Sequence, residues 1–231
     1  LRTYRDVGIH GMFCQGSACR GGQFEHLRAY VQSRLLWQPD QDVERLMAEW
    51  CRGVYGPAGE HVLEYLHLLE NKVHRDDVHM LRFAMTRQFD LYTPEILEQG
   101  KAIWDRAEAA AKTRKQKRRV FGARCSEMLP RLAHAPLEYR LEGDVLRLRP
   151  EPDLELRDRF VDAALDRGAS AMREDEGAPE DFRINYGREY RAVVLESDVL
   201  KAVVLPEMGG RIYSLQYKPL SLELLAVPTI F

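Results

Sequence analysis

Val43-Glu-Arg-Leu-Met-Ala-Glu-Trp-Cys-Arg-Gly-Val54 decides the fold class of this chain. Val43, Leu46, Met47, Trp50, Cys51 and Val54 recur at three- and four-residue spacing, the signature of one apolar helix face. Asp40, just past Pro39, is placed to cap this helix, and Gly53 or Gly56 to close it. The same period extends outward on both sides. Upstream, Phe24, Leu27, Val31 and Leu35 form a helix face ending near Trp37. Downstream, Val62, Tyr65, Leu66, Leu69 and Val73 form another. Thr93-Pro94-Glu95 is a strong helix start: a capping hydroxyl, proline at the first helical position, and an acid at the positive end of the dipole. Ile96, Ile103, Trp104, Ala107 and Ala111 follow it. Further helices are expected over Lys115 to Leu132 and Leu154 to Asp166.

The pattern changes near the C-terminus. Arg173 to Asp181 is acidic and contains Gly and Pro, so it reads as a linker. Beyond it, Tyr190 to Leu195, Val199 to Leu205 and Arg211 to Tyr217 are β-rich runs, the first two joined through Glu196-Ser-Asp198. At the other end, Val7-Gly-Ile-His-Gly-Met-Phe-Cys14 is short, apolar and Gly-containing, which reads as a buried strand. Gln15-Gly16-Ser17 follows as a loop, closed by Gly21-Gly22.

The chain has 231 residues, 45% hydrophobic and 30% charged, with a formal net charge of -2. That is enough apolar material for a core. It lacks the basic excess of a protein that binds phosphate backbones, so no nucleic-acid partner is expected. No apolar run approaches the roughly 18 residues needed to span a bilayer, so no membrane partner is expected either. The four cysteines, Cys14, Cys19, Cys51 and Cys125, are irregularly spaced and are expected to be reduced, although Cys14 and Cys19 could pair. Both ends look cut: no initiator Met opens the chain, and Leu222 to Phe231 stops within an apolar run. The expectation is a piece of a longer protein whose targeting signal is not in view, soluble, with a secreted or periplasmic location open for the whole parent.

Several words carry a family resemblance. Gly8-Ile-His-Gly-Met-Phe-Cys-Gln-Gly16, Leu27-Arg-Ala-Tyr30, Leu35-Leu-Trp-Gln-Pro-Asp40 and Tyr55-Gly-Pro-Ala58 resemble the end of the barrel in an uncharacterised family. That family is similar to α-glucuronidases and β-N-acetylhexosaminidases. Thr93-Pro-Glu-Ile-Leu97 and the Ala-rich helix after it are similar to the helical domain that follows such a barrel. The resemblance covers roughly residues 5 to 170. Separately, Val203-Val-Leu-Pro-Glu-Met-Gly-Gly-Arg-Ile-Tyr-Ser-Leu215 resembles the opening strands of a galactose-mutarotase-like β-sandwich.

The implied fold is mainly α with a β C-terminal part. It comprises the last β/α unit of a truncated (β/α)8 barrel over residues 1–38, a helical domain over 39–172 and a truncated β-sandwich over 182–231. The implied function is that of a fragment of a carbohydrate-active protein, a glycoside hydrolase of glucuronidase or hexosaminidase type. The alternative is a non-catalytic carbohydrate-binding or scaffold module; a pair of acids on the missing strands would discriminate the two.

If residues 7–14 are the last barrel strand, the strand's C-terminal end faces the substrate. Phe13, Gln15, Ser17 and Arg20 are then the candidate substrate-binding residues: Phe13 could stack on a sugar face and Gln15 could hydrogen-bond a hydroxyl. Glycoside hydrolysis needs two carboxylates flanking the bond. Asp6 lies at the wrong end of the strand, and Glu25 suits a helix start, so the catalytic pair is expected outside this chain. His61, His67, His74 and His79 match no metal-ligand spacing, so no metal and no cofactor are expected. Arg114-Lys-Gln-Lys-Arg-Arg119 reads as a solvated helix face. Gly209-Gly210 reads as a tight turn, with a sugar contact at Arg211 the lesser reading.

Overall fold

The computed structural model describes residues 1–13, 23–79, 91–134, 140–147, 152–170 and 177–225. The chain divides into two compact units: residues 1–134 with 158–179, and residues 135–157 with 180–231. Among the described residues it is mainly helical, with antiparallel sheet confined to residues 140–223.

The first unit is built from α1 (Arg2–Asp6), α2 (Glu25–Trp37), α3 (Val43–Tyr55), α4 (Gly59–Asp76), α5 (Pro94–Ala110), α6 (Arg114–Ala123), α7 (Cys125–His134) and most of α8 (Leu154–Asp166). Local chemistry sets several of the starts. Asp42, not Asp40, caps α3, accepting from the Arg45 N–H at 3.2 Å. Asp40 instead pairs with Arg2 and Arg5 of α1. Thr93 caps α5, accepting from the Ile96 N–H. Thr113 and Gln116 form a reciprocal capping box at the start of α6. Gly56 ends α3 at φ 62°, where a residue with Cβ would be strained. Gly59 then lets α4 depart close to α3, because a Cβ there would lie 2.5 Å from the Cys51 carbonyl oxygen.

The core joins α3 to α6. Cys51, Tyr55, Ala58, Val62, Tyr65, Ile103, Trp104, Ala107, Val120 and Ala123 are all buried in one cluster. The apolar face of α3 only half obeys its pattern: Leu46 and Cys51 are buried, Trp50 is half-buried against the edge of Tyr55, and Val43 is exposed.

Two helices replace the single one expected over Lys115 to Leu132. At the break, Ser126 Oγ donates to the Ala123 carbonyl at 2.9 Å, and the Glu127 N–H turns to Arg124 O. A serine hydroxyl here takes an acceptor that a continuous helix would use. Four residues later Pro130, inside α7, has no N–H to give the Ser126 carbonyl. The Tyr65 hydroxyl of α4 donates to that carbonyl instead, at 2.9 Å and fully buried. Tyr65→Phe should therefore cost about 1–3 kcal/mol by stranding a buried acceptor. In a Pro130→Ala background the restored N–H should cut that cost to less than half. Chemical denaturation of the four proteins of the cycle tests this coupling; equal costs in both backgrounds would refute it.

Over residues 7–13, the described part of the strand expected at 7–14, no strand is formed. The Gly8 N–H closes a turn on Arg5 O, with Gly8 at φ 79°, and residues 9–13 have no regular structure. Val7, Ile9, Met12 and Phe13 are exposed. The reason is the absence of pairing: a strand of this kind needs neighbours for its N–H and C=O groups, and no strand lies among the described residues of the first unit. Cys14 and the rest of that segment lie outside the described residues.

The second unit holds two antiparallel sheets. β1 (Arg140–Glu142) and β2 (Val145–Arg147) form a hairpin about Gly143-Asp144, with Gly143 at φ 63°; β3 (Glu189–Arg191) pairs with β2. The second sheet runs in sequence order: β4 (Val193–Glu196), β5 (Leu200–Leu205), β6 (Arg211–Tyr217) and β7 (Leu222–Glu223). The run Tyr190 to Leu195 is thus not one strand. Ala192 divides it between the sheets, its N–H donating to Asp144 O at 2.7 Å. Leu146, Tyr190, Ala192, Val203, Leu205 and Tyr213 make the shared core. By register, Val193, Leu195, Leu200, Ala202, Val204, Ile212, Leu215, Tyr217 and Leu222 lie on the other face of the second sheet, and several of them are exposed. The strands are apolar on both faces, which is why their sequence reads so clearly as β. A short helix α9 (Pro179–Asn185) occupies the end of the stretch read as a linker.

Candidate functional site

The N-terminal segment is held by ion pairs rather than by sheet bonds. Arg5 Nη1 lies 2.6 Å from Asp40 Oδ2, and Arg2 Nε lies 3.2 Å from Asp40 Oδ1. Arg2 also donates to the Pro39 carbonyl. These contacts dock α1 against the turn between α2 and α3. Of the four candidate substrate-binding residues, Phe13 is described and is 88% exposed. Gln15, Ser17 and Arg20 lie outside the described residues. Trp37, the last residue of α2, is 91% exposed. The sequence reading missed it, taking it only as the end of a helix. Helical spacing carries no signal for it: that Leu36 and Trp37 both face solvent is visible only in the structure.

Asp6 is engaged by Arg5, and Glu25 sits in the first turn of α2 beside His26. The four histidines each face a carboxylate: His61 with Glu64, His67 with Glu44, His74 with Glu70 and His79 with Asp77. One of these arrangements is denser than a pair. Glu44 of α3 with His67 and Glu70 of α4 place three donor atoms within 4.8 Å of one another. His67 and Glu70 are three residues apart, so they share one face of α4, and Glu44 meets them from the first turn of α3. Reading histidine spacings alone could not find this group, because its other two members are carboxylates and one is on a different helix.

The basic run on α6 is partly committed. Arg118 pairs with Asp166 at 2.8 Å, and Arg119 donates to the Val54 carbonyl at 2.9 Å; Arg114, Lys115 and Lys117 are exposed. Gly209 and Gly210 both take positive φ, and Arg211 is exposed at the start of β6. Cys51 and Cys125 are free and buried, and burial pushes their thiols up to about 12 and about 11. Buried and protonated, neither is suited to nucleophilic work. Cys14 and Cys19 lie outside the described residues.

A family model described as "Domain of unknown function (DUF4838)" matches residues 1–67. No curated protein and no solved structure matches the chain. Among the described residues, no helix is long and apolar enough to cross a membrane.

Proposed function

We propose that this chain belongs to a carbohydrate-active protein and that its N-terminal segment supplies a sugar-contacting edge. The parent reading is a glycoside hydrolase of glucuronidase or hexosaminidase type, with its catalytic acid pair outside these 231 residues. In the same reading, β4 to β7 open a mutarotase-like β-sandwich, and Gln15, Ser17 and Arg20 join Phe13 at the ligand.

The observation that carries the proposal is the exposure of two aromatic rings, Phe13 and Trp37, within the segment that matches the family model. Each ring keeps most of its surface in water, so it packs little against the rest of the chain and its face is open to a ligand. The C–H face of a pyranose is apolar and flat, and an aromatic ring is its natural counterpart, with polar side chains nearby to take the hydroxyls.

The test is a binding panel of neutral and uronate-containing oligosaccharides against the 231-residue chain. Phe13→Ala and Trp37→Ala should each weaken the best ligand by roughly 1 kcal/mol, about fivefold, with the melting temperature unchanged. The chain alone should turn over no chromogenic glycoside, since it would lack the acid pair. Saturable binding that ignores both substitutions would move the sugar site elsewhere. Turnover abolished by Glu25→Gln would overturn the assignment of the acids.

A further inference from the structure

The group formed by Glu44, His67 and Glu70 is independent of any sugar site, and its composition is unusual for a surface ion pair. Nε2 of His67 lies 2.7 Å from Oε2 of Glu44. One carboxylate is enough to partner one imidazole, yet Glu70 brings a second within 4.8 Å of both. Among the described residues neither carboxylate has a lysine or arginine partner, and the ion-pair contact of Glu70 is His74, at 3.8 Å. Two like charges held this close repel each other, although water weakens the effect at this exposure. The group therefore holds more negative charge than the imidazole can offset.

Rigid elements fix the three donors. Helices α3 and α4 are locked together through Cys51, Tyr55, Val62 and Tyr65, so the donors converge without ordering a loop. One imidazole nitrogen and two carboxylate oxygens make a borderline donor set. Imidazole is a poor choice for magnesium or calcium, and the lack of thiolate disfavours soft cations.

We propose that Glu44, His67 and Glu70 form a surface site for a borderline divalent cation, zinc above all. Nε2 of His67 and one oxygen from each carboxylate are the protein ligands, and water completes a tetrahedral shell. With bonds of about 2.0–2.1 Å, ligand atoms sit roughly 3.3 Å apart. Small side-chain rotations bring the donor atoms, within 4.8 Å of one another, to that spacing. His74 orients Glu70 from outside the shell, as outer partners commonly do for ligating carboxylates.

The experiment is zinc titration of the 231-residue chain by calorimetry, in competition with a chelating dye. The expected result is one saturable site, not displaced by equimolar magnesium or calcium, with a zinc-dependent rise in melting temperature. His67→Ala, Glu44→Gln and Glu70→Gln should each weaken binding more than the roughly 10–100-fold typical of losing an outer partner. His61→Ala, which removes a different carboxylate-paired histidine, should leave binding unchanged. Far-UV circular dichroism checks that each variant folds. If His67→Ala does not fold, the His67 imidazole resonances of the wild-type chain, which must shift on zinc addition, decide the matter. No saturable zinc binding, binding indifferent to the three substitutions, or equal loss in His61→Ala would show that the group is an interhelical ion pair only. None of these outcomes depends on whether the chain binds sugar.

Discussion

Arg124→Ala should destabilise the helical unit by about 3–5 kcal/mol, among the largest losses available to a single substitution in this chain. Arg124 is 3% exposed and stands at the break between α6 and α7. Its Nη2 lies 2.7 Å from Asp105, its Nη1 2.8 Å from Glu108, and its Nε 3.1 Å from Glu127. The Glu108 contact is an ion contact without hydrogen-bond alignment, since Nη1 has no hydrogen-bond partner among the described residues. The cost of the substitution lies mainly in what is left behind. Glu127 is 1% exposed and among the described residues would keep only Arg131, at 3.3 Å.

Burial already pushes the Glu127 carboxyl above its ordinary range, while Arg124 and Arg131 pull it back. Removing Arg124 must raise it further. A carboxyl whose folded value exceeds its unfolded value loses stability as pH rises from the ordinary carboxylate range through the raised one. The penalty of Arg124→Ala should therefore be smaller near about pH 5 than near about pH 8. Urea denaturation of both proteins at the two pH values measures it. A penalty that grows on acidification would show that Glu127 is not the group left uncompensated.

Trp104→Ala should cost about 3–5 kcal/mol, the range for a large buried aromatic. Trp104 is 0% exposed, lies in the central cluster and meets Tyr65 edge-on at 5.4 Å. Its indole N–H is buried without a hydrogen-bond partner among the described residues, so the ring stabilises by packing while its polar atom works against it. Trp104→Phe should thus cost far less than Trp104→Ala. It keeps much of the contact and removes an unsatisfied donor worth about 1–3 kcal/mol. Near-equal costs for the two would mean that the indole N–H has a partner, such as a buried water. Trp50→Ala, on the half-buried side of the same core, should cost less than Trp104→Ala, because less of its surface leaves water on folding.

The elements legible in the sequence were those with strong local signals. Thr93-Pro94-Glu95 starts α5 as read, and the helix read over Leu154 to Asp166 has those bounds. The turn at Glu196-Ser-Asp198 and the strands ending in Leu205 and Tyr217 also follow the reading. The hairpin at Gly143-Asp144 was missed, although a two-residue Gly-Asp loop between short strands is a legible signal. Its strands are three residues each, too short for alternation to stand out. Of the candidate site, Phe13 was legible as an aromatic at the end of an apolar run. Trp37 was not, because helical spacing alone does not say which faces have something to pack against.

Composition and period by themselves determined that this protein is helical first and β-sheet last, because caps, prolines and the 3.6- and 2-residue repeats act within a few residues of one another. Tertiary structure alone decided three things. Residues 7–13 are irregular because a strand exists only with partners to take its backbone hydrogen bonds. The expected single helix became α6 and α7, with Tyr65 from a distant helix supplying the donor that Pro130 lacks. Glu44 met His67 and Glu70 because α3 and α4 pack together, and the convergence of side chains from separate helices depends on packing geometry that no local pattern encodes.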